Sequence, residues 1–335
     1  GEGQDRWVYS AGDAAEFVHN PYTDRNIYWL HITSSSVGKR MAAQTAALSG
    51  EAIDTHRRYV HVEQSNYLRR YDDGHINDYY NWYWSNLEDV SLYVSTPDIV
   101  SGDTAEVRVA ALTASPYVDL TVNGTPAALD YASSVGCRFS TMAFYSGSNQ
   151  LNLHLYPPSN APSYLDYVEV SYTSANAPAA DRLDLTLGVY DGSYQVEVLN
   201  EFSDWPEILD VTDPYNPQRV AATASGGMLR FGLEGNGVDF RRFYLTPIGA
   251  ALAPLSIEAA DPADLYATDR QVDLFVVAPR VFAGALEDYV QYREEDGYSI
   301  SLVSVEDIMD NFAYGLYDPI AIRDFLKFAY ENYPS

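Results

Sequence analysis

Residues 272–278 read Val272-Asp273-Leu274-Phe275-Val276-Val277-Ala278, a nearly unbroken apolar run. Such a run suits a strand buried on both faces, as in a parallel sheet. Next comes Phe282-Ala283-Gly284-Ala285-Leu286-Glu287-Asp288-Tyr289-Val290-Gln291-Tyr292-Arg293, in which Phe282, Leu286, Tyr289, Val290 and Arg293 follow helical spacing. Gly297 fits just past the end of that helix. Tyr298-Ser299-Ile300-Ser301-Leu302-Val303 is a second strand, and residues 305–312 read as a short helix. Asp318-Pro319 starts another helix, with proline at the first helical position. Ile320, Ile322, Phe325, Leu326 and Tyr330 supply its apolar face. Strand, helix, strand, helix is a βαβ crossover unit with a parallel sheet. Two parallel strands bury little surface and are not a stable sheet alone. Residues 267–335 are therefore expected to be the first part of a larger, truncated α/β domain. The plainer alternative is a small appendix on a β domain.

Upstream, the chain reads as β. Val107-Arg108-Val109-Ala110-Ala111-Leu112 and Leu151-Asn152-Leu153-His154-Leu155 alternate, as does Leu165-Asp166-Tyr167-Val168-Glu169-Val170-Ser171-Tyr172. Val118-Asp119-Leu120-Thr121-Val122 runs into Asn123-Gly124, a hairpin signal because both residues tolerate positive φ. Ile27-Tyr28-Trp29-Leu30-His31-Ile32 reads as a further short strand, and residues 38–50 as extended or loop. Many short strands with Gly, Pro and Asn turns indicate a sandwich or jelly roll over residues 1–178. Residues 174–180 are small, polar and proline-containing, which suits a linker. Tyr194-Gln195-Val196-Glu197-Val198, Leu229-Arg230-Phe231-Gly232-Leu233 and Arg242-Phe243-Tyr244-Leu245 predict a second small β-sandwich over 181–262. The expected fold class is mainly β, followed by a partial α/β segment.

Composition narrows the function. The net charge of −27, from 47 Asp plus Glu against 20 Lys plus Arg, repels phosphate backbones and excludes nucleic acid as a partner. One cysteine cannot form an internal disulfide or a Cys-rich zinc or iron–sulfur site. No apolar run approaches the roughly 20 residues of a membrane helix. Lys39 and Lys327 are the only lysines, and the 29 tyrosines with abundant Asp resemble the composition of secreted or salt-adapted proteins. No signal peptide is read in the chain.

Few side chains suggest chemistry. Cys137, beside Arg138 and close in sequence to His154, could be a nucleophile, but a lone Cys in an apolar strand is usually a small buried hydrophobe. Tyr71-Asp72-Asp73-Gly74-His75-Ile76-Asn77-Asp78 carries oxygen ligands around a Gly turn, the type that holds calcium, though not at EF-hand spacing. Tyr79-Tyr80-Asn81-Trp82-Tyr83-Trp84 could stack on sugar rings, with packing between sheets or domains the favoured reading. His56 and His61, flanked by Arg57 and Arg58, have no zinc spacing and read as strand surface. Asp318-Pro319 and Arg323-Asp324 are helix-start and helix-surface features. No catalytic, metal or cofactor residue is assigned.

A family resemblance joins these segments. Asp273-Leu274-Phe275-Val276-Val277, Tyr289-Val290-Gln291-Tyr292-Arg293 and Asp296-Gly297-Tyr298 resemble the opening of a gingipain-type cysteine peptidase domain. The likeness continues through Val303-Ser304-Val305-Glu306-Asp307-Ile308-Met309-Asp310-Asn311-Phe312, Gly315, Asp318-Pro319 and Ala321-Ile322-Arg323-Asp324-Phe325-Leu326. Asn26-Ile27-Tyr28-Trp29-Leu30 with Gly38-Lys39-Arg40-Met41 is similar to the leading β region of multidomain members. So are Tyr164-Leu165-Asp166-Tyr167-Val168-Glu169-Val170 and Asp210-Val211-Thr212-Asp213-Pro214. The resemblance implies a caspase-like fold, with a Cys nucleophile and a His partner attacking a peptide carbonyl. It implies that both follow the central strands, downstream of the last helix quoted. No His or Cys occurs after His154, so residues 267–335 hold no such pair.

The expectation is the N-terminal fragment of a secreted, multidomain, gingipain-like cysteine endopeptidase, itself inactive. Protein substrate would be met through the part beyond Ser335. The implied location is extracellular or on a bacterial cell surface, and no oligomeric state is read. Two alternatives stand beside it. One is a non-catalytic β-sandwich binding or adhesion module for glycan or protein. The other is an accessory, peptidase-like component of a secretion system.

Overall fold

The computed structural model describes residues 6–8, 16–18, 23, 25–32, 38, 40–64, 66–71, 79–112, 118–133, 136–157, 162–213, 216–269 and 271–334. These fall into two compact units, one built on residues 38–252 and one on residues 253–335 with 25–32.

The larger unit opens with a β-sandwich. Strands Thr55–Glu63, Ala105–Leu112, Ala128–Ser133, Gly136–Thr141 and Tyr164–Ala175 make a five-stranded sheet. Asp89–Thr96, Val118–Val122, Thr125–Pro126 and Gly147–Leu155 make a four-stranded one. Each strand buries alternate residues, because successive side chains of a strand point to opposite faces. The clearest case is Asp89–Thr96, where exposed and buried positions alternate without a break. The inward sets meet in one core: Leu92, Leu120, Leu151 and Leu153 from one sheet, Val107, Phe139, Val170 and Tyr172 from the other. The hairpin predicted at Asn123-Gly124 is present, with φ of 51° and 79°. Its turn joins Val122 to Thr125 directly.

A second core lies on a seven-stranded sheet. Two long antiparallel strands, Leu183–Leu199 and Met228–Pro247, form its spine, and Phe231 packs on Phe243 with ring centres 5.0 Å apart. Its flanks come from far upstream. Glu51–Ile53 pairs parallel with Tyr194–Val196, and Ala42–Gln44 pairs parallel with Gln218–Val220. Gly50 sits at the entry to the first of these pairings with φ +83°. A Cβ there would fall 1.9 Å from the Ser193 carbonyl oxygen, so the close approach of the two backbones requires glycine.

Of the expected linker 174–180, Ala179 and Ala180 are exposed, but Ser174, Asn176 and Ala177 are buried, so its first half is a buried hinge between the two cores. Asn176 is 2 % exposed and its amide nitrogen donates to the Ile53 and Glu197 carbonyls, at 3.0 and 2.8 Å. Both amide hydrogens are thereby used, and the side-chain oxygen faces His56 Nδ1 at 3.0 Å. One small polar side chain thus satisfies three buried groups, which is why a polar residue sits at this place.

In the smaller unit, Leu274–Ala278 and Ile300–Ser304 pair in parallel, joined by helix α1 (Ala283–Glu295). Helices α2 (Val305–Phe312) and α3 (Ile320–Asn332) follow. Gly297 lies past the end of α1 at φ +93°, as its position predicts. Phe275, Val277 and Val303 cluster with Ile308, Met309 and Phe325. Phe325 is fully buried, its ring centre 5.2 Å from Phe275 and 5.7 Å from Phe312. Burial on both strand faces does not hold, for every residue of Leu274–Ala278 is only half-buried. Helix α1 has no buried residue, so the second face is thinly covered.

The expected strand at residues 27–32 is also absent. The segment carries no ladder; Trp29 instead donates its ring N–H to the Tyr314 carbonyl at 2.9 Å.

Substituting Asn176→Ala strands buried carbonyls at the hinge, each worth about 1–3 kcal/mol when unpaired. The expected loss is about 3 kcal/mol of unfolding free energy, read from the urea midpoint. An unchanged midpoint would show that the hinge does not hold the two cores.

Candidate functional site

In parallel α/β sheets, ligands bind beyond the carboxyl ends of the strands. Here both strands end at the same edge, Ala278 opposite Ser304. Ser304 caps α2: its Oγ accepts from the Asp307 N–H at 2.9 Å and donates to Asp307 Oδ2 at 2.6 Å. This is a serine N-cap whose hydroxyl also binds the carboxylate at the third helical position. Asp307 Oδ1 also receives Arg280 Nη2 at 3.1 Å and the Ala263 N–H at 3.2 Å. The Arg280 N–H donates to Glu306 Oε2 at 2.8 Å. Two carboxylates in the first turn of α2, where the helix dipole favours negative charge, therefore tie down the loop after the first strand. Burial and the neighbouring Asp307 push the Asp310 carboxyl above its ordinary range, against the pull of Arg280. The edge is charged, with Arg280 presented to solvent. Residues 267–335, which form it, contain neither Cys nor His.

Cys137 and His154 are not brought together. Cys137 belongs to the five-stranded sheet, points into the core and is 3 % exposed. Burial pushes its thiol up, so the nucleophilic thiolate is disfavoured, although backbone hydrogen bonds at Val118 and Ser133 act the other way. His154 lies on the four-stranded sheet and bonds Asp89 Oδ1 through Nδ1 at 2.7 Å. Arg138, on the opposite face of its strand from Cys137, lies 3.7 Å from Glu106.

His56 and His61 correct the surface reading. They are five apart on one strand, so alternation sends them to opposite faces. His56 points inward and is 4 % exposed; its Nδ1–H donates to Asn176, and its Nε2 meets no hydrogen-bond partner. Burial lowers its pKa to about 4; nearby Arg58 lowers it further, while Asn176 and Asp184 oppose the shift. The His61 side chain is 6 % exposed and held between Glu169 Oε1 at 3.2 Å and Glu63 Oε2 at 3.0 Å. Burial disfavours its cation, but the hydrogen bonds to the two carboxylates outweigh burial and raise its pKa. Arg108 lies 3.4 Å from the other Glu169 oxygen. The odd spacing on one strand was the signal for opposite faces, and the surface reading passed over it.

The calcium candidate at residues 72–78 lies outside the described residues. Of the aromatic patch, the described side chains are Tyr83 and Trp84. Tyr83 is buried with its ring 5.2 Å from Tyr164, and Trp84 packs on the first core. Asp318 accepts from the Ile320 N–H at 2.9 Å, and Arg323 pairs with its neighbour Asp324 at the surface. Among the described residues no group of three or more His, Cys, Asp or Glu could hold a metal ion.

Residues 267–335 match the model of Peptidase family C25, which bears out the gingipain-type resemblance for that segment. The chain is similar to the crystal structure of dimeric latent PorU from Porphyromonas gingivalis, at 17 % identity and a TM-score of 0.64. That match covers 87 % of this chain and 30 % of PorU, so the chain spans about a third of PorU's length and shares its fold there. A β-glucuronidase from Facaelibacterium prausnitzii L2-6 matches at 16 % identity and a TM-score of 0.23, over 58 % of this chain and 34 % of that one. A Ruminococcus gnavus β-glucuronidase matches at 11 % and 0.25, over 83 % and 63 %. Scores this low carry no argument. No curated protein matches the chain.

The two histidines predict opposite pH signatures. His56 is neutral in the folded chain, so stability falls as pH drops from the unfolded pKa near 6.5 toward 4, by on the order of 3 kcal/mol. The His61 contribution is full below its unfolded pKa and is lost as pH rises through its raised folded value. Imidazole NMR titration checks both, and a His56 that titrates above its free value contradicts the buried, neutral assignment.

Proposed function

We propose that this chain is the N-terminal β region and opening βαβ unit of a secreted, multidomain, gingipain-like cysteine endopeptidase. In this reading the chain itself holds no catalytic pair, and protein substrate meets a Cys and a His carried C-terminal to it. The observation that supports this most is the C25 match over residues 267–335, a stretch that contains neither residue type. The likeness to under a third of PorU agrees with a chain that is one part of a longer protein.

Within that reading each part has a role. The sandwich and the seven-stranded sheet act as a β platform that supports or orients the peptidase domain. The clamp of Arg280, Glu306 and Asp307 holds the loop at the carboxyl edge of the first strands, where a peptidase of this topology would assemble its site. Cys137 is a core residue. The proposed location is extracellular or at a bacterial cell surface, and the acidic composition is in keeping with it.

A thiol-reactive peptidyl probe applied to the chain tests the assignment. The expected result is no labelling at Cys137 under native conditions and no peptide hydrolysis, with labelling only after unfolding. Robust hydrolysis abolished by Cys137→Ser would overturn it.

A further inference from the structure

The outer face of the four-stranded sheet differs from an ordinary solvated strand face. Alternation turns Asp89, Ser91 and Tyr93 outward from one strand and Gln150, Asn152 and His154 from the next, while Val90, Leu92, Leu151 and Leu153 fill the core. Asp119 and Thr121 do the same on the third strand. The register sets them in rows: Asp89, His154 and Asp119; Ser91, Asn152 and Thr121; Tyr93 and Gln150.

The rows are bonded within themselves. His154 bonds Asp89, and Tyr156 donates to Asp119 Oδ2 at 2.6 Å with its ring edge-on to His154 at 4.5 Å. Ser91 Oγ donates to Asn152 Oδ1 at 2.7 Å. These bonds restrict the side chains before any ligand arrives, which lowers the ordering cost of binding. At the far row Tyr93 stands 66 % exposed.

The chemistry of this face selects a ligand class. None of its four strands contains Lys or Arg, and its fixed charges are carboxylates. Charge complementarity therefore excludes a polyanion. A protein partner would need a desolvated apolar centre, which Tyr93 and Tyr156, two exposed tyrosines set among polar groups and the second tied to Asp119, do not provide. The outer face of the five-stranded sheet contrasts, carrying Arg57, Arg108 and Arg138. Amides, hydroxyls and carboxylates in rows match sugar hydroxyls, which both donate and accept. An exposed phenol ring offers a flat surface to the apolar face of a pyranose. Rows about 7 Å apart along the strands and strands about 4.8 Å apart give a patch the length of a short oligosaccharide.

We propose that this sheet face binds a neutral, hexose-based glycan, with Tyr93 as the stacking platform and Gln150, Asn152 and Asp119 as hydroxyl-binding groups. The site is independent of the peptidase reading, and the failure of either leaves the other standing.

Titration calorimetry of the whole chain with maltohexaose, cellohexaose and N-acetylchitohexaose tests it. The expected result is binding of at least one, weakened about tenfold or more by Tyr93→Ala and by Asn152→Ala. Circular dichroism should not change in either variant, and the melting temperature should not change in Tyr93→Ala, whose side chain is exposed. Tyr131→Ala, on the other sheet, should leave binding intact. Absence of binding by all three at about 10 mM would overturn the proposal. So would binding that survives Tyr93→Ala, equal binding of polyanionic heparin, or binding confined to a cationic peptide.

Discussion

The smaller unit depends on one constraint: every buried backbone N–H and C=O must find a partner. Leu274–Ala278 and Ile300–Ser304 meet half of it by pairing with each other. A parallel pair has two further edges and two faces, and parallel strands normally lie in sheets covered on both sides. One face here is well covered, where Phe325, Ile308 and Met309 pack on Phe275 and Val277. The other carries α1, whose Tyr289 and Tyr292 remain exposed. Half-buried strands of almost unbroken apolar sequence are in keeping with the proposed wider sheet.

The parts that were legible in the sequence are those with a local period. Alternation placed Val107–Leu112, Val118–Val122 and Leu165–Tyr172 correctly, because in-and-out burial leaves a mark every second residue. Helical spacing did the same for residues 283–295. Contacts between distant segments leave no local mark. Nothing in residues 42–53 shows that they join strands near 194–196 and 218–220. Residues 27–32 have the composition of a strand, but a strand exists only with a partner, and their backbone has none in a ladder. Asn176 misled for a related reason: small polar residues suit linkers, yet a side chain with two donors and one acceptor also suits a buried junction.

The candidate site was less legible than the fold. The absence of a downstream Cys or His is a fact of sequence alone, and it already removed a complete catalytic pair from residues 267–335. The clamp at the strand edge was invisible, since Arg280, Ala263 and Asp307 are joined only by the fold. The dominance of arginine among the cations also gains a meaning. Arg230, Arg241 and Arg242 each pair with a carboxylate on a neighbouring strand, and a planar fork suits such pairs better than an ammonium.

The most direct measurement is an experimental structure of the full gene product that contains residues 267–335. The expected result places Leu274–Ala278 and Ile300–Ser304 inside a wider parallel sheet, with a Cys and a His from later strands gathered at the edge marked by Arg280 and Ser304. A full-length protein in which these two strands remain an isolated pair, or in which no Cys–His pair forms at that edge, would contradict the peptidase assignment.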